Sequence, residues 1–343
     1  MSDSMTCARN GELVSIDVVI PVFNSENYLP ACLESLCASD GKNVRFILVD
    51  DGSTDATPAI CDEFCAEHEN ALVIHRENGG SSAARNTGYA AVDNRGCCHW
   101  VWFVDSDDVV APGALDILAN YAAGSEADVL NLGFVRFDDD SRPDWSSRQG
   151  GFSGVVDARA FLAGTYESQY HHYLWGFLFR CASLDRLIAW REKNGMAGLC
   201  DESYSLLEDL VFVEEFMQET CKRVESIPDV LYGYRQLSSS ISHSVNPKAA
   251  DSALRAMRYI DGFEVPERDR LPKYRMQIAL LFNAYRAVGQ DDTSAVLRRV
   301  IRREIESRVR AVGLRQLTRG LLMRYLALKT GAGDLVLKIR TKR

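Results

Sequence analysis

The sequence predicts an α/β fold: a Rossmann-like, mostly parallel sheet covered by helices, followed by a C-terminal helical extension. Three observations predict it. Strand and helix signals alternate through the first 135 residues. Polar, turn-rich clusters recur at the carboxyl ends of the strand-like runs. From Asn246 onward the spacing of apolar residues is helical only. Strands alternating with helices of this length imply parallel pairing with both faces covered.

The elements follow in order. Leu13 to Val22 is rich in Val and Ile, as a buried strand is. Glu26 to Ala38 places Leu29, Leu33 and Leu36 on one side of a helix. Val44 to Asp50 is a second strand, Ala56 to Glu69 a helix with Thr54 or Asp55 as its cap. Ala71 to Arg76, Trp100 to Asp105 and Ala127 to Phe137 are three further strands. Ala83 to Val92 is a helix, and Pro112 opens another. Beyond the polar stretch from Asp138 to Gly154, helices are expected near Ala182–Asn194 and Asp209–Cys221, with a short strand over Asp229–Tyr234.

In open sheets of this kind, ligands bind beyond the carboxyl ends of the strands. Four clusters fall there: Asn24, Asp50-Asp51-Gly52-Ser53, Asn78-Gly79-Gly80-Ser81 and Asp105-Ser106-Asp107-Asp108. Two of them are rich in carboxylates.

The bulk numbers narrow the class. The chain has 343 residues, 46% apolar and 25% charged, enough for a sizeable core in one large domain or two moderate ones. No apolar run approaches a membrane span, and the start lacks the pattern of a signal peptide. A cytoplasmic protein is therefore expected, with its ten cysteines reduced; no Cys-x-x-Cys is present. The net charge of −9 is unevenly spread. Residues 298–343 hold 14 Arg or Lys against three acids, a net of +11, which leaves −20 for the rest. Nucleic acid is not an expected partner. An acidic body handles an anionic diphosphate only through a cation. The basic tail suits an anionic surface.

Asp105 and Asp107 lie two apart at an expected strand end, which points both side chains one way. Two such carboxylates repel unless a cation or proton lies between them. Oxygen ligands suit Mg²⁺ or Mn²⁺, which also bind phosphates. A solvated capping turn is the plain alternative for an isolated Asp-x-Asp; the neighbouring site loops argue against it here. The Asp50–Asp55 run is either a strand-to-helix turn or a carboxylate aimed at a base or ribose. Asn78–Asn86 offers backbone N–H groups at a helix start with a cation, Arg85, one turn in, which favours anions.

Taken together, these residues resemble glycosyltransferase family 2. The resemblance runs from about Val14 to Ser244. It rests on Val18-Val-Ile-Pro-Val-Phe-Asn24, Val49-Asp-Asp-Gly-Ser-Thr-Asp55, Asn78-Gly-Gly-Ser-Ser-Ala-Ala-Arg-Asn-Thr-Gly88 and Phe103-Val-Asp-Ser-Asp-Asp108. Glu208-Asp209-Leu-Val-Phe, Tyr234-Arg-Gln and Ser240-Ile-Ser-His-Ser244 follow in the family's order. The resemblance implies a GT-A-type fold over residues 12–245, with a nucleotide-binding half (12–115) and an acceptor half (116–245), ahead of a helical region over 246–343. It implies an inverting, metal-dependent transfer of a hexosyl or N-acetylhexosaminyl group from a nucleotide-diphosphate donor, UDP above all, to a glycan or lipid-linked glycan acceptor. By that resemblance Pro21, Phe23, Asn24, Asp51, Gly80, Arg85, Asp105 and Ser106 bind the nucleotide. Phe23 stacks on the base, Asp51 reads it, and Asp105 lies by the ribose. Asp107 holds Mn²⁺ or Mg²⁺, with His243 as a further candidate ligand against a merely solvated alternative. Asp209 is the base, whose plain alternative is an acid placed on a helix dipole.

One departure stands out. Trp175-Gly-Phe-Leu-Phe-Arg180 lies where relatives often have Trp-Asn-Lys-Leu-Tyr, so Gly176 and Phe177 replace a polar pair. His171-His172 carries no expected role. Among rival readings, a catalytically inactive scaffold module is opposed by the intact Asp105, Asp107 and Asp209. A nucleotidyltransferase is opposed by Pro21-Val-Phe-Asn24, where a Gly-rich loop would be needed. For the tail, Leu297, Val300, Ile301, Ile305 and Val309, then Leu314, Leu317, Leu321, Leu322, Tyr325 and Leu328, recur at near-helical spacing among arginines. Three readings stay open: peripheral contact with an anionic membrane, packing on the protein, and a homodimer contact.

Overall fold

A computed structural model describes residues 14–39, 43–93, 98–139, 141–147, 153–237, 246–288 and 294–330. These form two compact units. The first holds the described residues up to Phe161, with His171–Glu202 and Glu208–Leu237; the second holds Leu162–Tyr170, Ser203–Leu207 and the C-terminal helices. Two short segments thus group with the helices beyond residue 245.

The first unit begins with β1 (Ser15–Val22), α1 (Leu29–Cys37), β2 (Val44–Asp50), α2 (Thr57–Glu67), β3 (Ala71–His75), α3 (Ser81–Ala90) and β4 (His99–Phe103). It continues with β5 (Val109–Val110), α4 (Ala114–Gly124), β6 (Val129–Asp138), β7 (Gly154–Asp157), α5 (Ala158–Tyr166, whose residues from Leu162 on are grouped with the second unit), β8 (Phe177–Arg180), α6 (Cys181–Lys193), α7 (Glu208–Glu215) and β9 (Arg223–Gln236). The sheet order is β3-β2-β1-β4-β8-β6-β9-β5, with β7 paired to β9. The β3-β2-β1-β4 part is parallel throughout. β8 enters antiparallel between β4 and β6.

Burial explains the central strands. Val18, Val19, Ile20, Trp100, Val101, Trp102 and Phe103 are fully enclosed, as strands covered on both faces must be. α3 lies so close to the sheet that a Cβ at Gly88 would sit 2.3 Å from Val19 Cγ1. Only glycine permits that approach. Because β1 to β4 run parallel, their carboxyl ends share one rim, and the polar clusters of the sequence meet there. The strand expected to reach Asp105 ends at Phe103. Asp105 instead starts a turn closed by the Asp108 N–H on the Asp105 carbonyl at 3.2 Å. A turn, not strand alternation, therefore arranges the carboxylates.

The second unit is helical: α8 (Pro247–Ile260), α9 (Glu267–Ala287), α10 (Ala295–Val312) and α11 (Arg319–Lys329). α9 packs against the other three. The apolar stripes of the tail are spent in this packing, since Ile301, Ile305, Val309, Leu317, Leu321, Tyr325 and Leu328 are buried. Arg308 is buried against Asp261 and Glu304, and Lys329 pairs with Glu306. These stripes are therefore not the surface that would meet a bilayer. No helix among the described residues is long and apolar enough to cross a membrane. Seven described cysteines are free, but Cys98 is disulfide-bonded, which corrects the expectation of thiols throughout. His243 lies outside the described residues.

Candidate active site

The loop after β1 is laced to the loop after β2. Asn24 adopts φ 47°, an uncommon conformation that Asn tolerates. Its N–H donates to Ser53 Oγ at 3.0 Å, and its Oδ1 accepts from the Thr54 N–H at 2.8 Å. The Ser25 and Ser106 hydroxyls meet at 2.8 Å, which ties this loop to the carboxylate turn after β4. Phe23, just past β1, leaves 48% of its surface exposed. Pro21 is inside β1 itself.

Asp51 is buried and heavily engaged. Arg76 Nη1 reaches its Oδ1 at 2.6 Å. The Gly79 N–H is shared between both oxygens, and the Gly80 N–H donates to Oδ2 at 2.7 Å. A carboxylate offers about four lone-pair positions. Nearly all of Asp51's are taken, and what it visibly does is fold the Asn78–Ser81 loop around itself. Gly80 turns through φ 91° there, with open space beside its Cα. Arg76 was not anticipated; its place at the end of β3, one strand away from Asp51, was the available signal.

Arg85 is the centre of the site. It projects from α3 and is almost wholly enclosed. Its Nη2 reaches Asp105 Oδ1 and its Nη1 reaches Asp209 Oδ1, both at 3.1 Å. Glu208 stands 3.8 Å from Nη1. Burial opposes the guanidinium's charge, yet Asp209, Asp105 and Glu208 more than offset it and raise its pKa further. The second Asp209 oxygen accepts the Leu174 N–H at 3.1 Å. Asp209 is thus fixed by two donors at the start of α7, and 16% of its side chain still faces solvent. The sequence expectation gave Arg85 to the nucleotide pocket; the structure also makes it the link to Asp209.

The carboxylate turn is pinned from β9. The Asp105 N–H donates to Tyr232 Oη at 3.1 Å, and that hydroxyl donates to Asp108 Oδ2 at 2.7 Å. Asp108 also accepts the Arg235 N–H at 2.7 Å. Burial raises Asp105 despite Arg85. Burial and then Asp105 push Asp107 up to about 6. Only its own N–H and the charge of Arg235 act the other way. Three carboxylates (Asp105, Glu208 and Asp209) therefore face one buried arginine, and Asp107 adds a fourth beside Asp105. This surplus of oxygen donors fits a hard divalent cation. Among the described residues no three His, Cys, Asp or Glu side chains form a metal cage. A cation would rest on the aspartate turn and on oxygens brought by the substrate.

Residues 17–187 match the model of the glycosyl transferase family 2. The chain carries a family 2 glycosyltransferase domain. The chain is 28% identical to glycosyltransferase GlyA of Streptococcus pneumoniae over 290 residues, 81% of this chain and 39% of GlyA. It is 30% identical to the minor teichoic acid biosynthesis protein GgaA of Bacillus subtilis over 227 residues, 64% of this chain and 46% of GgaA. The chain thus spans less than half the length of either relative. In fold it is similar to S. aureus TarS 1–349 crystallised with UDP-GlcNAc, with a TM-score of 0.59 at 17% identity over 93% of this chain and 92% of TarS 1–349. That likeness establishes the GT-A fold.

Within this family 2 domain and the residues after it, the expected residues fall into two groups. Asp105, Asp209 and Arg85 are joined directly, and Ser106, Asn24 and Gly80 shape the loops beside them. Gly176 explains itself. A Cβ there would lie 1.8 Å from His171 Cε1. His171 sits against Trp175, stacked at 5.4 Å and 20°. Burial, with His172 beside it, lowers its pKa to about 3. The departure at Gly176 is therefore matched by an imidazole that fills the vacated space.

Proposed function

We propose that this glycosyltransferase moves a hexosyl or N-acetylhexosaminyl group from a UDP donor to an acceptor hydroxyl in one inverting displacement. The observation that carries the reading is the pair of hydrogen bonds that Arg85 donates, one to Asp105 and one to Asp209. One buried cation fixes a donor-side carboxylate and the proposed base in one geometry. Asp209 takes the proton of the acceptor hydroxyl. The freed oxygen forms the new bond to the anomeric carbon, and the bond from that carbon to the diphosphate oxygen breaks with its electron pair. Asp107, with Asp105 beside it, would hold Mn²⁺ or Mg²⁺, which supplies neutralisation of the leaving diphosphate. Holding donor and acceptor in line saves much of the barrier in prepaid entropy.

GgaA is a minor teichoic acid biosynthesis protein, and TarS 1–349 is known in complex with UDP-GlcNAc. They support a cell-surface glycan or a lipid-linked glycan as acceptor. A position at the inner face of an anionic membrane fits the exposed face of α10 and α11. There, and in the turn between the two helices, Arg299, Arg303, Arg310, Arg315 and Arg319 pair with no carboxylate among the described residues, and Val296, Leu314, Met323 and Leu326 are exposed. A panel of nucleotide sugars with and without Mn²⁺ tests the reaction. The anomeric configuration of the product, read by NMR, tests inversion. A product that retains the donor's configuration would overturn the single displacement.

A further inference from the structure

A pile of aromatic rings runs from the aspartate turn to Asp209, all of it within the first unit. Tyr232 stacks on Trp175 at 4.3 Å and 5°, and Trp175 on Tyr173 at 4.9 Å and 10°. At one end the Tyr232 hydroxyl accepts the Asp105 N–H and donates to Asp108. At the other, Tyr173 immediately precedes Leu174, whose N–H donates to Asp209 Oδ2. Tyr234 lies two residues past Tyr232 on β9, which puts both on one face of the strand. It meets Trp175 at 5.2 Å and Tyr173 at 5.7 Å between ring centres. Trp175 and Tyr232 are buried, whereas Tyr173 and Tyr234 stay partly exposed. Among the described residues neither Tyr173 Oη nor Tyr234 Oη has a hydrogen-bond partner. Burial, then Tyr173 and the acids of the turn, raise the pKa of Tyr234, so its hydroxyl remains a donor.

An apolar ring surface with a few convergent polar groups is what a small-molecule site offers. A pyranose matches it. Its C–H groups gather on the faces of the ring and its hydroxyls on the rim, whereas an open-chain polyol has no such face. Charge separates neutral from anionic acceptors. Asp105, Asp107, Glu208 and Asp209 outnumber Arg85 and Arg235 here, so a phosphate on the acceptor unit would be repelled. We infer that Tyr173 and Tyr234 seat the acceptor, and that the unit they seat is an uncharged pyranose ring, its C–H face on the tyrosine rings and its rim hydroxyls on their Oη atoms. The inference deepens the reading of Asp209 as base and rests on it, because the attacking hydroxyl must lie at Asp209 and the tyrosines flank that place.

The experiment uses the full chain with UDP and Mn²⁺ present. Saturation-transfer NMR titrations compare methyl β-D-glucopyranoside and methyl N-acetyl-β-D-glucosaminide with ribitol and ribitol 5-phosphate. The pyranosides are expected to bind, with saturation strongest at ring C–H protons, and the two open-chain compounds about tenfold more weakly. Tyr173→Leu and Tyr234→Leu should each weaken pyranoside binding about 3- to 10-fold, the range of a specific aromatic contact. UDP affinity by calorimetry should stay within about twofold of wild type in both. If a leucine variant does not fold, Tyr173→Phe and Tyr234→Phe decide. Each keeps the ring and its stacking and loses only the hydroxyl, which should weaken binding about 2- to 10-fold. Pyranoside binding unchanged in the folded variants would overturn the inference. So would wild type that binds neither pyranoside, or that binds ribitol 5-phosphate as tightly. Loss of UDP affinity in step with pyranoside binding would overturn it as general destabilisation. Asp209→Asn separates the two readings: pyranoside binding kept with turnover lost supports both. Binding kept with wild-type turnover would overturn the base and leave the tyrosine seat standing on its binding data.

Discussion

The imidazole of His171 occupies the space that a side chain at residue 176 would need, its Cε1 lying 1.8 Å from the place of a Gly176 Cβ. His171 is also enclosed by Phe134, Tyr173 and Phe177. A tightly packed interior does not yield to an added methyl without moving side chains. Gly176→Ala is therefore expected to cost about 1–3 kcal/mol, the usual penalty for overpacking. His171→Ala alone leaves a cavity. The double variant His171→Ala/Gly176→Ala should recover part of the loss, a coupling readable in urea unfolding. Strict additivity of the two single changes would contradict the packing described here.

Arg85 gives the second prediction. Each charge-assisted bond contributes about 1.5–3 kcal/mol. Lysine is a point charge and cannot hold Asp105 and Asp209 together as the planar guanidinium does. Arg85→Lys should lower kcat/KM about 10- to 100-fold. Arg85→Met removes the buried cation from among three acids and should destabilise the fold by about 3–5 kcal/mol. Turnover near wild type in Arg85→Lys would mean that the link between the two aspartates is not needed.

Much of this arrangement was legible in the sequence, and the reason is local. β1 to β4 are nearly all apolar and end in polar turns, so both the sheet and its rim could be read. What escaped depends on partners distant in the chain. Arg76 meets Asp51 from 25 residues away, and Tyr232 pins the aspartate turn from 127 residues beyond Asp105. Neither pairing has a local spacing. Asp105 and Asp107 were expected on strand periodicity, but the chain leaves the strand at Phe103 and the turn does the aligning. Gly176 reads as a lost polar group until His171, five residues earlier, is seen to fill its place. The tail's stripes were ambiguous because a helix buried against a neighbour and one lying on a bilayer share a pattern.

Metal use is tested at Asp107. Burial and Asp105 raise its carboxyl to about 6, and a bound cation would relieve both effects. In wild type, UDP affinity by calorimetry should rise when Mn²⁺ is added. Asp107→Ala should abolish that gain while the circular dichroism spectrum stays unchanged. Equal UDP affinity with and without Mn²⁺ in wild type would remove the metal from the mechanism.

A pH effect on stability is expected from His75. Its Nδ1 lies 2.8 Å from the buried carboxylate of Asp50, with Asp62 at 3.2 Å from Nε2. The hydrogen bond to Asp50 raises its pKa, against the opposing effect of burial. A histidine whose folded pKa lies above its unfolded value stabilises the fold fully below the unfolded value. That contribution is lost as pH rises through the folded value. Wild type should therefore lose more melting temperature than His75→Gln between pH 6 and pH 8.5. Parallel curves for the two proteins would exclude the coupling.

The last prediction concerns the outward face of the C-terminal helices. At 100° per residue, Val296, Arg299, Arg303 and Arg310 fall within an arc of about 60° on α10, and Arg319, Met323 and Leu326 within a similar arc on α11. Four of the six large apolar side chains exposed among the described residues lie between Val296 and Leu326. The two acids of α10, Glu304 and Glu306, are already paired with Arg258, Arg308, Arg302 and Lys329. The face is therefore basic with scattered apolar tips, a composition suited to an anionic interface rather than to a soluble polyanion. Each arginine near such a surface contributes about 1 kcal/mol. Arg303→Gln/Arg310→Gln should then weaken binding to phosphatidylglycerol vesicles about 30-fold, while Met323→Ser/Leu326→Ser weakens it without altering the salt dependence. Neither pair lies in the site, so donor hydrolysis should be unchanged in both. Full-length protein that stays in the supernatant with these vesicles at low salt would rule out the membrane role. A concentration-dependent dimer broken by the same substitutions would instead assign the face to a second copy of the chain.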